Sequence, residues 1–476
     1  MKVLKRILVN KKNYYMGLVY PLPSNRRSAE AKEINLENIM GKTVLVVGSG
    51  GREHAIVDAL SRSPQVSRIY CAPGNAGIGQ QAENVPLKDT DVAGLLAFAK
   101  EKAIDLTVVG PEASLSAGIV DAFRAEGLAI FGHTAAATAI ESSKEFAKEL
   151  MAKYDIPTAS YKAFSDFEEA KAYVASRPFP AVLKYDGLAA GKGVVIAEDM
   201  AQAEEALRSM LLDEAFGKGR VVVEDFLQGP EFSFLCFVSG TDVYPMPLSQ
   251  DHKRAFDGDK GPNTGGMGAY TGLPFITAED REFAYTNILC KAAAAMVAEG
   301  RPLSGVLYGG LMKTADGIKV IEFNARFGDP ETEVLLPLLD SDIFDIFYGV
   351  ACGKEVGTPV WSTDLTLGVV LASKGYPGSY KKGFEIRGLD SVNAHVYHMG
   401  TALAKEAGQS TAQARNDGRW PSGGQSTLLT NGGRVLMVVG RGKSLAEIKD
   451  KVYKEIEKID CDNLFYRKDI AHWAID

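Results

Sequence analysis

The sequence predicts an α/β protein with three folded parts, and three observations carry that prediction. The first part has buried strands that end in glycine or polar turns, beginning with VLVVGSGGREHA at Val44. The second has a glycine hairpin between apolar strands, FPAVLKYDGLAAGKGVVIAED. The third observation is a late strand, Lys319 to Phe323, with polar residues at its end. Strands alternating with helices favour a parallel sheet whose ligand crevice lies at the strand carboxyl ends.

Composition bounds the number of domains and excludes several classes of protein. At 476 residues, 46% of them hydrophobic, the chain can form three or four domains with a core each. A net charge of −7 argues against general nucleic-acid binding. The five cysteines form no CxxC pair, which fits a reducing cytoplasm. No apolar run approaches the length that spans a membrane.

Residues 1–40 differ in composition from the chain that follows. Basic residues accumulate before the first acid, Glu30, and the charges interrupt any apolar core of a signal peptide. Ser24 and Ser28 are few hydroxyls for a transit peptide. We therefore expect a poorly ordered extension, or a true start at Met40.

The first glycine turn only partly matches a dinucleotide site. Glu53 stands at the third glycine position of GxGxxG, and the strand Arg68 to Ala72 ends in Pro73-Gly74 without an acid for a ribose. The glycines still allow backbone N–H groups to approach a phosphate at a helix N-terminus. A third strand, Leu106 to Val109, completes the predicted parallel sheet.

The glycine hairpin of the second part predicts a lid. Lys184 lies in its first strand, and Lys192 lies near Gly187, Gly191 and Gly193 in the loop. The glycine spacing and the following strand exclude a Walker loop. A mobile hairpin with a lysine can close over a triphosphate. The alternative is a solvated turn lysine.

Three further segments are predicted between the hairpin and the chain end. SQDHKRAFDGDKGPNTGGMGAY, beginning at Ser249, is expected to be a long, ordered binding loop. Helices are predicted at about 278–299 and 331–356, with a strand near 305–313. Histidines 395, 398 and 472 appear scattered along the sequence, which argues against a histidine metal site.

The strand Lys319 to Phe323 predicts a magnesium site. Its alternation places Glu322 and Asn324 on one face. Such a pair of hard oxygens suits Mg²⁺, which fills its other positions with water and phosphates. Arg326 adds a planar donor for a carboxylate or phosphate. The alternative is an edge strand whose carboxylate faces water.

Together, these segments resemble the phosphoribosylamine–glycine ligase family of ATP-grasp carboxylate–amine ligases. The motifs are GSGGREHA, APGNAG, VGPE, SSKEFAK, LKYDGLAAGKGV, SQDHKR, GPNTGGMGAY, EFNARFGDPE and YRKDI, and the resemblance covers about residues 42–472. It implies a Rossmann-like pre-ATP-grasp domain (41–143), an ATP-grasp domain (144–364, lid about 160–225) and a small α+β domain (365–476). It also implies that ATP phosphorylates glycine and that the amine of 5-phosphoribosylamine attacks the glycyl phosphate.

The resemblance implies roles for particular residues in a monomeric cytoplasmic enzyme that uses ATP with Mg²⁺ or Mn²⁺. The metal ligands would be Glu322 and Asn324, and the catalytic residues Arg326, Lys192 and Asp251. ATP would contact Lys144, Lys184, Lys192, Glu224, Asp225, Leu227 and Glu231. Glycine and the amine substrate would contact Gly50, Gly74, Asn75, Gly77, Pro111, Glu112, Asp251, His252, Lys253, Asn263, Gly265, Gly266, Arg326, Gly328, Asp329 and Glu331.

Two alternative functions remain open at this point. A formyl- or carboxy-transferring ATP-grasp ligase of nucleotide synthesis is disfavoured by GPNTGGMGAY and GDPE. A nicotinamide-dependent oxidoreductase is disfavoured because the acid for the ribose is missing.

Overall fold

A five-stranded parallel sheet forms the first part of the computed structural model, which describes residues 41–187, 193–404 and 427–475. Its spatial order is β3-β2-β1-β4-β5, as predicted for a parallel sheet. The strands are β1 Lys42–Gly48, β2 Val66–Pro73, β3 Glu83–Asn84, β4 Leu106–Val109 and β5 Ile130–Phe131. The helices are α1 Gly51–Ser61, α2 Val92–Glu101, α3 Glu112–Ser116, α4 Ile119–Ala125 and α5 Ala135–Ser142.

The central strand β1 explains why this sheet forms. Its residues Val44, Leu45, Val46 and Val47 are fully buried, in two separate apolar clusters on its opposite faces. A strand buried on both faces needs a continuous apolar run rather than alternation. Because all five strands run parallel, the turns that follow their carboxyl ends lie at the same edge of the sheet.

A four-stranded antiparallel sheet follows, at the position predicted for the lid. Its order is β6-β9-β7-β8, and α7 and α8 pack on it. The elements are α6 Lys144–Lys153, β6 Tyr161–Phe164, α7 Phe167–Ala175, β7 Ala181–Tyr185, β8 Val194–Ala197, α8 Met200–Leu211 and β9 Val221–Asp225. The hairpin joins β7 to β8, but Lys192 lies outside the described residues.

A large, mostly antiparallel sheet spans the second and third parts of the chain. Its main path is β17-β16-β10-β12-β15-β18-β22-β19, with β11 paired to β10 and β23 to β18. The elements before residue 365 are β10 Glu231–Ser239, β11 Asp242–Pro245, β12 Ser249–Asp251, β13 Arg254–Phe256, β14 Lys260–Asn263, β15 Gly268–Thr271, α9 Ala278–Ala284, α10 Lys291–Ala298, β16 Ser304–Thr314, β17 Gly317–Asn324, α11 Thr332–Leu335 and α12 Ile343–Ala351. The later elements are β18 Leu365–Ser373, β19 His395–His398, β20 Thr401–Leu403, β21 Leu428–Thr430, β22 Arg434–Gly442, α13 Leu445–Ile456, β23 Leu464–Phe465 and α14 His472–Ile475.

Two predicted segments differ from the structure. The long binding loop is ordered, but as strands: β12 and β15 join the large sheet, and β13 pairs with β14. The helix predicted at 331–356 is broken, because α11 ends in a 3-10 turn at Leu336–Leu338 and α12 starts at Ile343. Pro337 has no N–H to continue an α-helix, and Asp342 caps α12 by accepting the Phe344 N–H.

The helix predicted at 278–299 is present as α9 and α10, joined by a π-helical segment, Tyr285–Cys290. Among the described residues, no helix combines the length and apolar character needed to cross a membrane.

Candidate active site

A cleft of about 450 Å³ lies where the parallel sheet, the lid and the large sheet meet. Twelve of the residues singled out from the sequence line it: Glu112, Lys144, Lys184, Glu224, Asp251, Lys253, Gly265, Glu322, Asn324, Arg326, Asp329 and Glu331. The fold therefore brings together residues that are up to 219 positions apart in the chain.

A buried carboxylate between two lysines lies at the lid side of the cleft. Glu224, on β9, is 2.8 Å from Lys148 and 2.9 Å from Lys184, and all three side chains are at most 4% exposed. Lys184 also donates to the Ile321 carbonyl at 2.9 Å. Burial lowers the pKa of Lys148 to about 8, against the opposing effect of Glu224. The group therefore joins α6, the lid and β17.

Lys144 begins α6 and points toward the lid hairpin. Its N–H donates to Asp186 at 2.6 Å, and its Nζ donates to the Gly187 carbonyl at 3.0 Å. Ser143 caps the helix by accepting the Phe146 N–H. Burial lowers the pKa of Lys144, although Glu322 favours its charged form. A cation at the base of the lid is thereby held in place.

The two predicted metal ligands both line the cleft from β17. Burial would raise the pKa of Glu322, but Lys253, Lys184 and Lys144 outweigh burial and lower it. The carboxylate is therefore charged, and no hydrogen bond reaches it from another described residue.

The Asn324 amide oxygen accepts one hydrogen bond, from Arg326 at 3.2 Å, and keeps a lone pair. Two free hard-oxygen sites on one strand face fit a divalent cation. Across the described residues, no three His, Cys, Asp or Glu side chains converge on a metal position, so water and phosphates would supply the other ligands.

Arg326 is held by two acids from the first part of the chain. Its guanidinium is 3.0 Å from Glu141 and 3.5 Å from Glu112. Burial opposes its charge, but these carboxylates raise its pKa overall. Glu141 also accepts the Ala325 N–H at 2.6 Å, which fixes the backbone directly after Asn324.

Asp251 and Lys253 enter the cleft from the end of β12. Lys253 Nζ pairs with Glu231 at 3.0 Å. Burial raises the pKa of Asp251 to about 7, and the carboxylates of Glu331 and Glu231 add to the rise against the effect of Lys253. Glu331 itself accepts the Tyr308 hydroxyl at 2.6 Å. An acid that titrates near neutral pH is thus placed beside a lysine.

The third part of the chain supplies Arg434 to the same cleft. Its guanidinium is 3.0 Å from the Asp329 carboxylate and donates to the Gly265 carbonyl at 2.6 Å. From the first part, Arg52 donates to the Phe327 carbonyl at 3.0 Å. The segment around Asp329 is therefore fixed from both sides.

The first glycine turn is filled by its own side chain. Glu53 accepts the Gly50 N–H at 2.6 Å, and a Cβ at Gly48 or Gly110 would lie within 2.5 Å of the Glu53 side chain. That carboxylate satisfies the N–H of the N-cap residue and occupies the turn where the backbone of a dinucleotide site would approach the pyrophosphate. The structure thus argues further against the nicotinamide alternative.

Twelve predicted site residues do not line the cleft. They are Gly50, Gly74, Asn75, Gly77, Pro111, Asp225, Leu227, Glu231, His252, Asn263, Gly266 and Gly328. Some support residues that do, as Glu231 does for Lys253 and Pro111 does as the N-cap of α3. The Asn75 side chain donates to the Ser49 and His398 carbonyls and accepts two N–H groups of its own turn.

Asp225, another of the twelve, forms an ion pair with Arg177. The histidines, described above as scattered, are clustered in space. The His398 N–H donates to His54 Nδ1 at 2.8 Å, and the rings of His252 and His472 lie 5.1 Å apart. Neither pair could be predicted from the sequence, because its two histidines are more than 200 residues apart in the chain.

Several cleft residues were not predicted from the sequence. They are Arg52, Glu141, Lys148, Thr264, Tyr308, Tyr376 and Arg434. Lys148 could have been found, since it lies four residues after Lys144 on the same helix face. Arg434 follows a glycine turn far along the chain, and no local pattern marks it.

The fold and the cleft define an ATP-grasp carbon–nitrogen ligase. Three family models match the chain: the phosphoribosylglycinamide synthetase N domain at residues 42–141, its ATP-grasp (A) domain at 142–332 and its C domain at 366–473. The chain belongs to the phosphoribosylglycinamide synthetase family.

Relatives support the same assignment. The chain is 49% identical to the phosphoribosylamine–glycine ligase of Halalkalibacterium halodurans over 91% of this chain and 97% of the relative. It is 48% identical to that of Listeria monocytogenes over 90% and 99%. The crystal structure of the Thermotoga maritima phosphoribosylamine–glycine ligase matches with a TM-score of 0.74 at 32% identity, covering 90% of this chain and 100% of that one.

Proposed function

We propose that the cleft joins glycine to 5-phosphoribosylamine with cleavage of ATP, in the de novo synthesis of purines. The products are glycinamide ribonucleotide, ADP and phosphate. The observation that carries the proposal is the meeting of Glu322 and Asn324 with Lys144 and Lys184 in one cleft. Such a group suits the charge on a transferring phosphoryl group.

The ATP phosphates are assigned to the lid side of the cleft. Lys144 and Lys184 lie there, and Lys192 of the hairpin joins them in the proposal. Glu224, which lies between Lys148 and Lys184, is assigned to the hinge that meets adenine and ribose. Glu322 and Asn324 would hold Mg²⁺ or Mn²⁺, and a bound ion would neutralise phosphate charge and orient the γ-phosphoryl group.

The glycine carboxylate and the amine substrate are assigned to the opposite side, which Arg326, Asp251 and Lys253 line. Arg326, with a charged planar fork held by Glu141 and Glu112, is suited to a carboxylate. The glycine oxygen takes the γ-phosphoryl group and ADP leaves. The substrate nitrogen then forms the C–N bond as phosphate departs. Asp251, with a pKa of about 7, is suited to accept the proton that this nitrogen loses.

The proposal extends to a monomeric enzyme of the cytoplasm. All five cysteines are free thiols, as in a reducing compartment. The deciding assay is ADP release with glycine and 5-phosphoribosylamine supplied singly and together. We expect release only with both. Release with a carboxylate or formyl donor instead of glycine would point to the other ATP-grasp activity.

A further inference from the structure

We propose that Arg467 is a positioning residue for the substrate side of the cleft, acting through residues 251–265, here named the substrate loop. The inference rests on the proposed function, since that assigns Asp251 and Lys253 to the substrates. Arg467 does not line the cleft itself. It belongs to the C-terminal segment, residues 466–475, which packs against the outer side of the substrate loop.

The Arg467 side chain is fully buried, and all its nitrogen atoms are used. Nε and Nη2 donate to the two oxygens of Asp469, each at 2.7 Å. Nη1 donates to Asp259 at 2.9 Å and to the Arg254 carbonyl at 3.1 Å. A bidentate pair fixes the plane of the guanidinium, so the third nitrogen is aimed at the substrate loop. A lysine could not reproduce this geometry, because it is a point charge.

The C-terminal segment also holds the substrate loop through hydrogen bonds of its backbone and of Asp469. The Gly258 N–H donates to Asp469, and the Lys468 N–H donates to Asp257, both at 2.8 Å. The Ala471 N–H donates to His252 Nε2 at 2.9 Å. These contacts fix both the tip and the base of the β13–β14 hairpin.

The base of that hairpin sets the direction of the cleft residues. His252 stands between Asp251 and Lys253; both of these neighbours line the cleft, and His252 does not. Holding His252 against the C-terminal segment therefore directs its two neighbours toward the cleft. The Lys253 carbonyl accepts both the N–H and the hydroxyl of Thr264, at 2.7 and 2.9 Å, so the return strand is fixed with it.

The prediction is a selective loss of substrate affinity. In Arg467→Ala we expect KM for glycine and for 5-phosphoribosylamine to rise about tenfold or more, because small displacements of positioning groups have large effects. KM for ATP should change less than about twofold, since the ATP side is held by α6 and the lid. Arg467→Lys should show the same selectivity, because it lacks the fork.

The matched control is Arg387→Ala. Arg387 also lies in the third part of the chain and pairs with Asp460 and Glu385, but away from the substrate loop. It should leave all three KM values unchanged. Asp257→Ala covers the case in which Arg467 variants do not fold. Asp257 is exposed, and its replacement removes one hydrogen bond to the same segment. It should raise the same two KM values by a smaller factor.

Hydrogen exchange separates this proposal from the assigned function. Amides of residues 254–264 should exchange faster in Arg467→Lys and Asp257→Ala than in the wild type, and Arg387→Ala should show wild-type rates. Unchanged exchange, or equal increases in all three KM values, would overturn the positioning role. If wild-type ADP release did not need glycine and the amine, the proposed function would fail, while exchange would still decide whether Arg467 holds the loop.

Discussion

Lys148 Nζ lies 2.8 Å from the Glu224 carboxylate, and both side chains are almost completely buried. Breaking a buried ion pair by removing one partner leaves an uncompensated charge. We expect Lys148→Met to lower the free energy of unfolding by about 3 kcal/mol, at the lower end for such pairs because Lys184 still faces Glu224. Urea denaturation of the variant and the wild type measures this difference in the free energy of unfolding.

The matched control is Lys153→Met, one turn further along the same helix. Lys153 pairs with Glu299 at the surface, where solvent screens the interaction. Its replacement should leave the unfolding midpoint nearly unchanged. Equal effects of the two substitutions would mean that burial does not distinguish the two pairs.

Glu322→Ala should lower ligase activity about 100-fold or more, because it removes the proposed charged ligand of the metal ion. The protein should remain folded, since no hydrogen bond from the described residues depends on this carboxylate. ADP release and the melting temperature measure the two effects. Asp316→Ala is the control: it lies in the turn before the same strand and is exposed. A melting temperature that falls together with activity would assign Glu322 a structural role.

Lys192→Ala should weaken the use of ATP while leaving stability nearly unchanged. The lost contact to a charged phosphate is worth roughly 1.5–3 kcal/mol, or about 10–150-fold in KM for ATP. The expectation rests on the glycine pattern, since Lys192 lies outside the described residues. Lys218→Ala, an exposed lysine elsewhere in the lid, is the control. Similar KM values for both variants would argue against the lid assignment.

Buried histidines should make the protein less stable in acid. Burial lowers the pKa of His54 to about 3, with His398 and His395 adding to the effect, and burial lowers that of His398 to about 4. At these two positions, the unfolded chain therefore binds up to two more protons than the folded protein once the pH is below the ordinary histidine pKa of about 6.5. Their contribution to stability is complete above about pH 6.5 and is lost as the pH falls toward 4, at about 1.4 kcal/mol per proton and pH unit.

His54→Asn tests this prediction, because an amide oxygen can still accept the His398 N–H. As the pH falls from 7 to 4, the unfolding free energy should decrease less steeply in the variant. The difference in slope should correspond to about one bound proton, or about 1.4 kcal/mol per pH unit. Parallel curves for the two proteins would mean that His54 is not neutral in the folded state.

Site residues were predicted best from the sequence where they lie on a single secondary-structure element. Glu322 and Asn324 follow from the two-residue period of a single strand, and both line the cleft. Pro337 could have corrected the overlong helix, because the residue that breaks it is visible in the sequence. The hairpin Arg254–Asn263 was harder, since its strands are short, polar and exposed.

Residues from distant elements could not be predicted in the same way. Arg434 contacts Asp329 only because β22 lies in the large sheet beside β18. Glu141 supports the backbone after Asn324 across 184 residues of chain. Such contacts depend on tertiary packing, which no local period encodes. The filling of the first glycine turn could not be predicted for a related reason: the direction of the Glu53 side chain is not visible in the spacing of the glycines.

The large sheet runs without interruption across residue 364, where β15 pairs with β18 through Gly268 and Val369. A fragment that ended before Leu365 would expose the backbone N–H and C=O groups of β15 along a new edge. Open edges of this kind pair with other chains. The ATP-grasp part and the C-terminal part are thus poor candidates for exchange between homologues as separate modules. A chimera should be joined within a turn that no shared strand pair crosses.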